Sequence, residues 1–257
     1  MNKRYIQHTQ PVNSAQVRAA LLDVLQVHLP LDIDGRNLDD AKLWDILIYG
    51  SVHQTTIEAS CTELKCGCSA NTVREHLNDA LDASRAGVVA LEQQLNTALH
   101  AQLPDAFRRH LPHRRFDVAI DPVEIPYHGQ PQQAEAEVRR GPAKSGTTHC
   151  HVYATLAIVH DDQRYELALT FVWAGETMVQ VLARLLKRAW QLGLRIRRAY
   201  CDKGFCSCQV FRWLRRHRVA YVIPVPVRGK ALKALRRGQH SYRTRYTFYS
   251  GTAHAYT

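Results

Sequence analysis

The sequence predicts a two-part α/β protein, a helical region over residues 1–105 followed by a mixed-sheet region over residues 110–257. Three observations carry that expectation. Apolar residues recur at helical spacing through the first hundred positions. After Leu103-Pro104-Asp105, strand-like runs alternate with helical ones. Two of those runs close on an aspartate: Asp121 after Phe116-Asp117-Val118-Ala119-Ile120, and Asp202 after Arg195-Ile196-Arg197-Arg198-Ala199-Tyr200-Cys201. At 257 residues, 46% of them apolar, the chain can bury the core of one large or two ordinary domains.

In the helical region, Val17, Ala20, Leu21, Val24 and Leu25, then Leu43, Ile46 and Leu47, mark two amphipathic helices. Leu29-Pro30-Leu31 and Asp34-Gly35 break the chain between them. Thr55 to Leu64 and Asn71 to Leu77 read as two short helices joined by a turn at Lys65–Ser69, the outline of a helix-turn-helix. In that motif the second helix enters the major groove. Ser69, Asn71, Thr72 and Arg74 would then reach DNA, with Val73 and Leu77 turned to the core. Helical hairpins of this size also occur in proteins that never touch DNA, so the motif alone leaves both readings open. A further amphipathic helix carries Leu81, Val88, Leu91, Leu95 and Leu99 on its apolar side.

In the second region, strands are expected over 115–121, 153–160, 165–172, 195–201 and 219–225, with helices over 177–192 and 206–216. Three strands followed by two helix–strand units make a mixed sheet, an antiparallel set extended by crossovers. The stretch from Tyr127 to Gly146 is rich in turn residues and reads as a loop, with Arg139, Arg140 and Lys144 giving it positive charge. Carboxylates at two strand ends can hold a divalent cation; alone, Asp121 is equally a turn residue before Pro122, and Asp202 an N-cap.

Charge is unevenly placed. The net charge is +11, yet residues 203–257 hold 12 Lys and Arg and no acid, leaving 22 basic against 23 acidic residues before them. Lys203, Arg228, Lys230, Lys233, Arg236 and Arg237 open that tail, as a polyphosphate partner would require. A solubilising tail is the plainer account. No run approaches the roughly 20 apolar residues of a membrane helix, and Met1 to His8 lacks a secretory signal, so a cytoplasmic protein without a membrane partner is expected. Seven cysteines, odd in number and irregularly spaced, argue against a disulfide framework. Cys66-Gly67-Cys68 and the 201–208 segment lack the paired spacing of a zinc ribbon or finger and read as ordinary thiols.

Taken together, Val118 to Gly129, Lys144-Ser145-Gly146-Thr147, Tyr153-Ala154-Thr155-Leu156 and Tyr200-Cys201-Asp202-Lys203-Gly204-Phe205 resemble the DDE transposases of bacterial and archaeal insertion sequences, in the insertion-sequence-four branch. The resemblance covers roughly residues 110 to 225 and implies an RNase H-like catalytic domain. In that fold, the strands bearing Asp121 and Asp202 lie side by side. It also implies two Mg2+ or Mn2+ ions, DNA as partner (transposon ends and target), and a homo-oligomer on DNA. Asp121 matches the family's first aspartate and Asp202 its second; Lys203 stands where Arg is frequent, keeping the charge but not the bidentate fork.

The family's third acid, a glutamate on a later helix, has no match, because the last 55 residues contain no Asp or Glu. The chain therefore looks C-terminally truncated, its RNase H-like domain incomplete and strand transfer impaired. Glu124 is close in sequence to Asp121 and is at most an extra ligand. The alternative is a non-catalytic DNA-binding protein, a truncated inhibitor of the full transposase.

Overall fold

The computed structural model describes residues 13–130, 136–160, 163–227, 229–238, 240–250 and 254–256, and divides the chain into two compact units, residues 1–102 and 103–257. The expected DNA ligand Arg228 lies outside the described residues.

In the first unit each helix starts at a polar cap. α1 (Ser14–His28) begins at Asn13, whose side chain accepts from the Gln16 N–H while Gln16 returns a bond to the Asn13 N–H. α2 (Asp40–His53) begins at Asp39, α3 (Ile57–Glu63) at Thr56, α4 (Ala70–Ala80) at Ser69 and α5 (Arg85–Ala101) at Ser84. Leu31, Leu38, Leu43, Ile46, Cys61 and Val73 are buried in one cluster, with Leu47 and Leu77 packed against it. The expected apolar face of α1 is displaced: Leu22 is buried, whereas Val17 and Ala20 are exposed. Leu81 does not begin the fifth helix but caps the fourth. Asp82 accepts from the Ser84 N–H and hydroxyl, and this local bonding competes with helix across 82–84.

The second unit opens with a short helix that the sequence reading missed, α6 (Asp105–His110). The strands follow: β1 (Arg115–Pro126), β2 (Arg139–Lys144), β3 (Thr147–His160) and β4 (Gln163–Phe171). Then come α7 (Met178–Gln191), β5 (Arg195–Cys201), a 3-10 turn at Lys203–Phe205, α8 (Cys208–Arg216) and β6 (Tyr221–Val222). The tail adds α9 (Gly229–Leu235) and a hairpin of β7 (Phe248–Ser250) with β8 (His254–Tyr256).

β3 pairs antiparallel with β1 on one edge and with β2 and β4 on the other; β5 joins β1 in parallel, and β6 joins β5 in parallel. The result is the expected mixed α/β sheet, with Val118, Ile120, Leu156 and Ile158 buried in one cluster with Val181, Leu182, Leu185 and Leu186 of α7 and Val210 and Leu214 of α8. Each fully buried aliphatic contributes about 1.5–3 kcal/mol.

Three expectations change. The 127–146 stretch is not all loop, since Arg139, Arg140 and Lys144 lie in β2; pairing with β3 overrides its turn composition. β6 is two residues long, not seven. β1 does not end at Asp121 but runs on to Pro126. Pro122 is tolerated there because its missing N–H lies on the β5 side, and β5 has already ended at Cys201.

Candidate active site

The site is set by how β1 meets β5. The parallel pairing runs from Arg115↔Arg195 to Ile120↔Cys201, and the Asp202 N–H donates to the Ile120 carbonyl at 3.1 Å. Asp121 and Asp202 are thus the next positions on adjacent strands. On its other side Asp121 faces Thr155 of β3.

Asp121 is exposed, in alternation with buried Ile120. Asp202 is half-buried and also caps the 3-10 turn: Oδ2 accepts from the Gly204 N–H at 2.8 Å. Gly204 suits this close approach, because a Cβ there would stand 3.3 Å from that oxygen. Phe205, fully buried, anchors the turn in the core. Burial pushes the Cys201 thiol up to about 12, so the group beside Asp202 is a packing residue and no thiolate.

Asp202 opens onto a cavity of about 750 Å3 whose lining includes Glu124, Arg139, Arg140, Lys203 and Arg236. Asp121 is not part of that lining; strand alternation sends it to the face opposite Glu124 and Pro122. The basic residues differ in freedom. Arg139 donates to the carbonyls of Glu176 at 3.2 Å and Trp173 at 3.5 Å, stapling β2 to the segment before α7. Lys144 donates to the Glu124 carbonyl at 3.1 Å. Arg140 is exposed beside His149, 3.5 Å away, and Lys203, Lys230, Lys233, Arg236 and Arg237 are exposed. Lys230 and Lys233 lie on α9, with Arg236 and Arg237 just after it.

In the first unit, Ser69 caps α4 by accepting from the Thr72 N–H at 3.1 Å, and its hydroxyl lies 3.0 Å from that of Thr72. Arg74 donates to Asn71 at 3.1 Å and forms an ion pair with Glu58 of α3, which holds the Glu58 carboxyl below its ordinary range. These four residues are engaged within the α3–α4 hairpin.

Hard carboxylate oxygens of Asp121 and Asp202 suit Mg2+ or Mn2+, and only one oxygen of Asp202 is taken by its cap. No third carboxylate joins them in a ligating cluster among the described residues. The lining role of Glu124 was the signal least legible beforehand; once β1 is seen to continue, alternation alone places it with Pro122.

No curated protein matches the chain in sequence. Among solved structures it is similar to the piggyBac transposase synaptic complex with hairpin DNA, at 13% identity and a TM-score of 0.38, covering 97% of this chain and 51% of that one. It is also similar to the Mos1 strand transfer complex, at 15% identity and a TM-score of 0.24, covering 74% and 59%. The chain spans about half the length of the first and less than two thirds of the second. The family model described as the Transposase DDE domain matches residues 113–253, from just before β1 into the C-terminal hairpin. That match extends over more than half of the sequence, and the chain belongs to the DDE transposase domain family.

Proposed function

We propose that this protein acts in DNA transposition by divalent-ion-dependent cleavage and transfer of DNA strands, with Asp121 and Asp202 as ion ligands. The observation that carries the reading is the β1–β5 register, which sets those two aspartates at adjacent positions within the family-matched region. Bound ions would activate the attacking hydroxyl and neutralise the leaving oxygen. The chain's own contribution is to hold carboxylates at the sheet and to bind the phosphate backbone. Arg140, Lys203 and Arg236 surround the cavity with positive charge, and Lys230, Lys233 and Arg237 extend it along the tail. Arg139 and Lys144 act in this reading mainly by positioning β2.

In the same reading, residues 1–105 form a DNA-binding domain that uses the α3–α4 hairpin through Ser69, Asn71, Thr72 and Arg74, and residues 110–257 form an RNase H-like catalytic domain. The element belongs to the insertion-sequence-four branch, the protein works in the cytoplasm, and it assembles as a homo-oligomer on transposon ends. Two ions require a third carboxylate, which residues 203–257 do not contain. Glu124 faces away from Asp121 on β1 and is at most an extra ligand, so the third carboxylate comes from sequence outside residues 203–257.

One observation favours a second reading, a DNA-binding protein without catalysis: the acid-free tail follows a pair of carboxylates that no third joins among the described residues. The deciding experiment incubates labelled element ends with Mg2+ or Mn2+ and this chain, its Asp121→Asn and Asp202→Asn variants, and a version continued into the downstream reading frame. Ion-dependent nicking by this chain, abolished by either variant, assigns the third ligand within it. Nicking by the continued version alone places the ligand outside. Salt-steep DNA binding without nicking by any of them establishes the second reading.

A further inference from the structure

Three of the seven cysteines meet at the turn between α3 and α4. The geometry points to a zinc site formed by the thiolates of Cys61, Cys66 and Cys68, tying the end of one helix to the start of the next. The three sulfurs lie within 4.8 Å of one another, with Cys66 and Cys68 Sγ 3.3 Å apart. Zn–S bonds of about 2.3 Å in a tetrahedron put sulfurs about 3.8 Å apart, inside that spread. Small adjustments of χ1 would seat the ion.

The backbone brings the sulfurs there by a local device. α3 ends in a turn where the Cys66 N–H reaches back to the Cys61 carbonyl at 3.2 Å and the Lys65 N–H to Thr62 at 3.2 Å. Lys65 and Gly67 both adopt positive φ, 48° and 74°. Glycine takes that conformation freely, but at Lys65 it carries a cost. The chain thus turns twice in three residues and points Cys66 and Cys68 back toward Cys61. Sequence spacing concealed this, because the 61–66–68 pattern matches no zinc ribbon or finger.

Burial also fits a metal clip. Cys61 is buried in the helical core, while Cys66 and Cys68 are half-exposed at its margin, giving an ion an entry path. Soft sulfur donors select zinc over Mg2+ or Mn2+, so this site and the carboxylate pair would not compete for one ion. No His or carboxylate among the described residues completes the set, which leaves the fourth position to water or a partner's ligand.

The plainer account is three small thiols filling the core edge. To separate the two, the reduced, chelator-treated full chain is titrated with Co2+, then Zn2+. The site predicts one equivalent of Co2+ with sulfur-to-cobalt charge-transfer absorption, bleached by one equivalent of Zn2+. The band should be lost in Cys66→Ser and Cys68→Ser and retained in Cys206→Ser. Residue-resolved alkylation of the unmutated chain needs no variant to fold: Zn2+ should slow Cys66 and Cys68 by about tenfold or more and leave Cys206 unchanged. Absence of the thiolate band, its survival in both half-exposed variants, or equal alkylation with and without Zn2+ would overturn the proposal.

Discussion

Arg197 of β5 clasps the carboxylate of Asp117 on β1, with Nε donating to Oδ1 at 2.7 Å and the second guanidinium nitrogen to Oδ2. Arg197 is also the extra residue of a bulge: Phe116 pairs with Ile196, but Asp117 pairs with Arg198. Were Arg197 paired in regular register and not bulged out, the register begun at Arg115↔Arg195 would set Asp121 beside Cys201. With the bulge, Asp202 is the neighbour.

The bulge therefore controls which group Asp121 meets. Deleting Arg197 removes the bulge yet leaves Phe116↔Ile196, Asp117↔Arg198 and Ile120↔Cys201 as partners, so the deletion and Arg197→Ala should both retain most Mn2+-dependent DNA cleavage by whichever form is active. Loss of cleavage in the deletion alone would show that the bulge does more than set the register.

The same pair makes stability pH-dependent. The Arg197 hydrogen bond, outweighing partial burial, holds the Asp117 carboxyl below its ordinary value. A lowered pKa contributes stability in full above the unfolded value of about 3.9, and that contribution is lost as pH falls through the folded value. Tm should be higher for the unmutated chain than for Asp117→Asn at pH 7, and the two should converge in acid below pH about 4. A gap unchanged across that range would rule out the linkage.

Phe205, fully buried beneath the turn that carries Asp202, should cost about 3–5 kcal/mol when cut to Ala, read as a lowered denaturant midpoint. Gly204→Ala should cost little stability but disturb the Asp202 cap, whose oxygen lies 3.3 Å from the new Cβ. Its effect should fall on cleavage and not on unfolding.

Arg184 joins α7 to β4 and to the segment before α7. It donates to the Thr170 hydroxyl at 2.8 Å, the Phe171 carbonyl at 2.7 Å and Glu176 Oε2 at 2.7 Å, while Glu176 Oε2 also accepts from the Trp173 N–H at 3.0 Å. Arg184→Met leaves a largely buried carboxylate without its cation and should cost about 2 kcal/mol in equilibrium unfolding. A loss below a few tenths would mean that water replaces the guanidinium.

If the basic rim of the cavity binds DNA, reversal of Arg140, Lys203 or Arg236 to Glu should weaken binding at every sequence tested. Each removed phosphate contact should also make the slope of log affinity against log salt shallower by about one. Arg139→Ala should instead act through folding, since its donors already hold the Trp173 and Glu176 carbonyls. An unchanged salt slope in all three reversals would place the DNA surface elsewhere.

Local chemistry explains what was legible in the chain alone. The helical spacing of Leu43 and Ile46 and the strand-like runs ending at Ile120 and Cys201 depend on neighbours a few residues away. The helical first part, the mixed sheet and the two aspartates follow from them, as does the acid-free tail. Tertiary structure decided what no local pattern encodes. One extra residue at Arg197 sets the register of β1 against β5, a parallel pairing of residues 80 apart in sequence. Pairing with β3 made a strand of the turn-rich 139–144 segment and carried β1 past Pro122, bringing Glu124 to the cavity. The turn at Lys65 and Gly67 folded an irregular cysteine spacing into one cluster. Register and convergence arise from long-range pairing energies, to which each residue contributes little alone, so the sequence specifies them only through the completed fold.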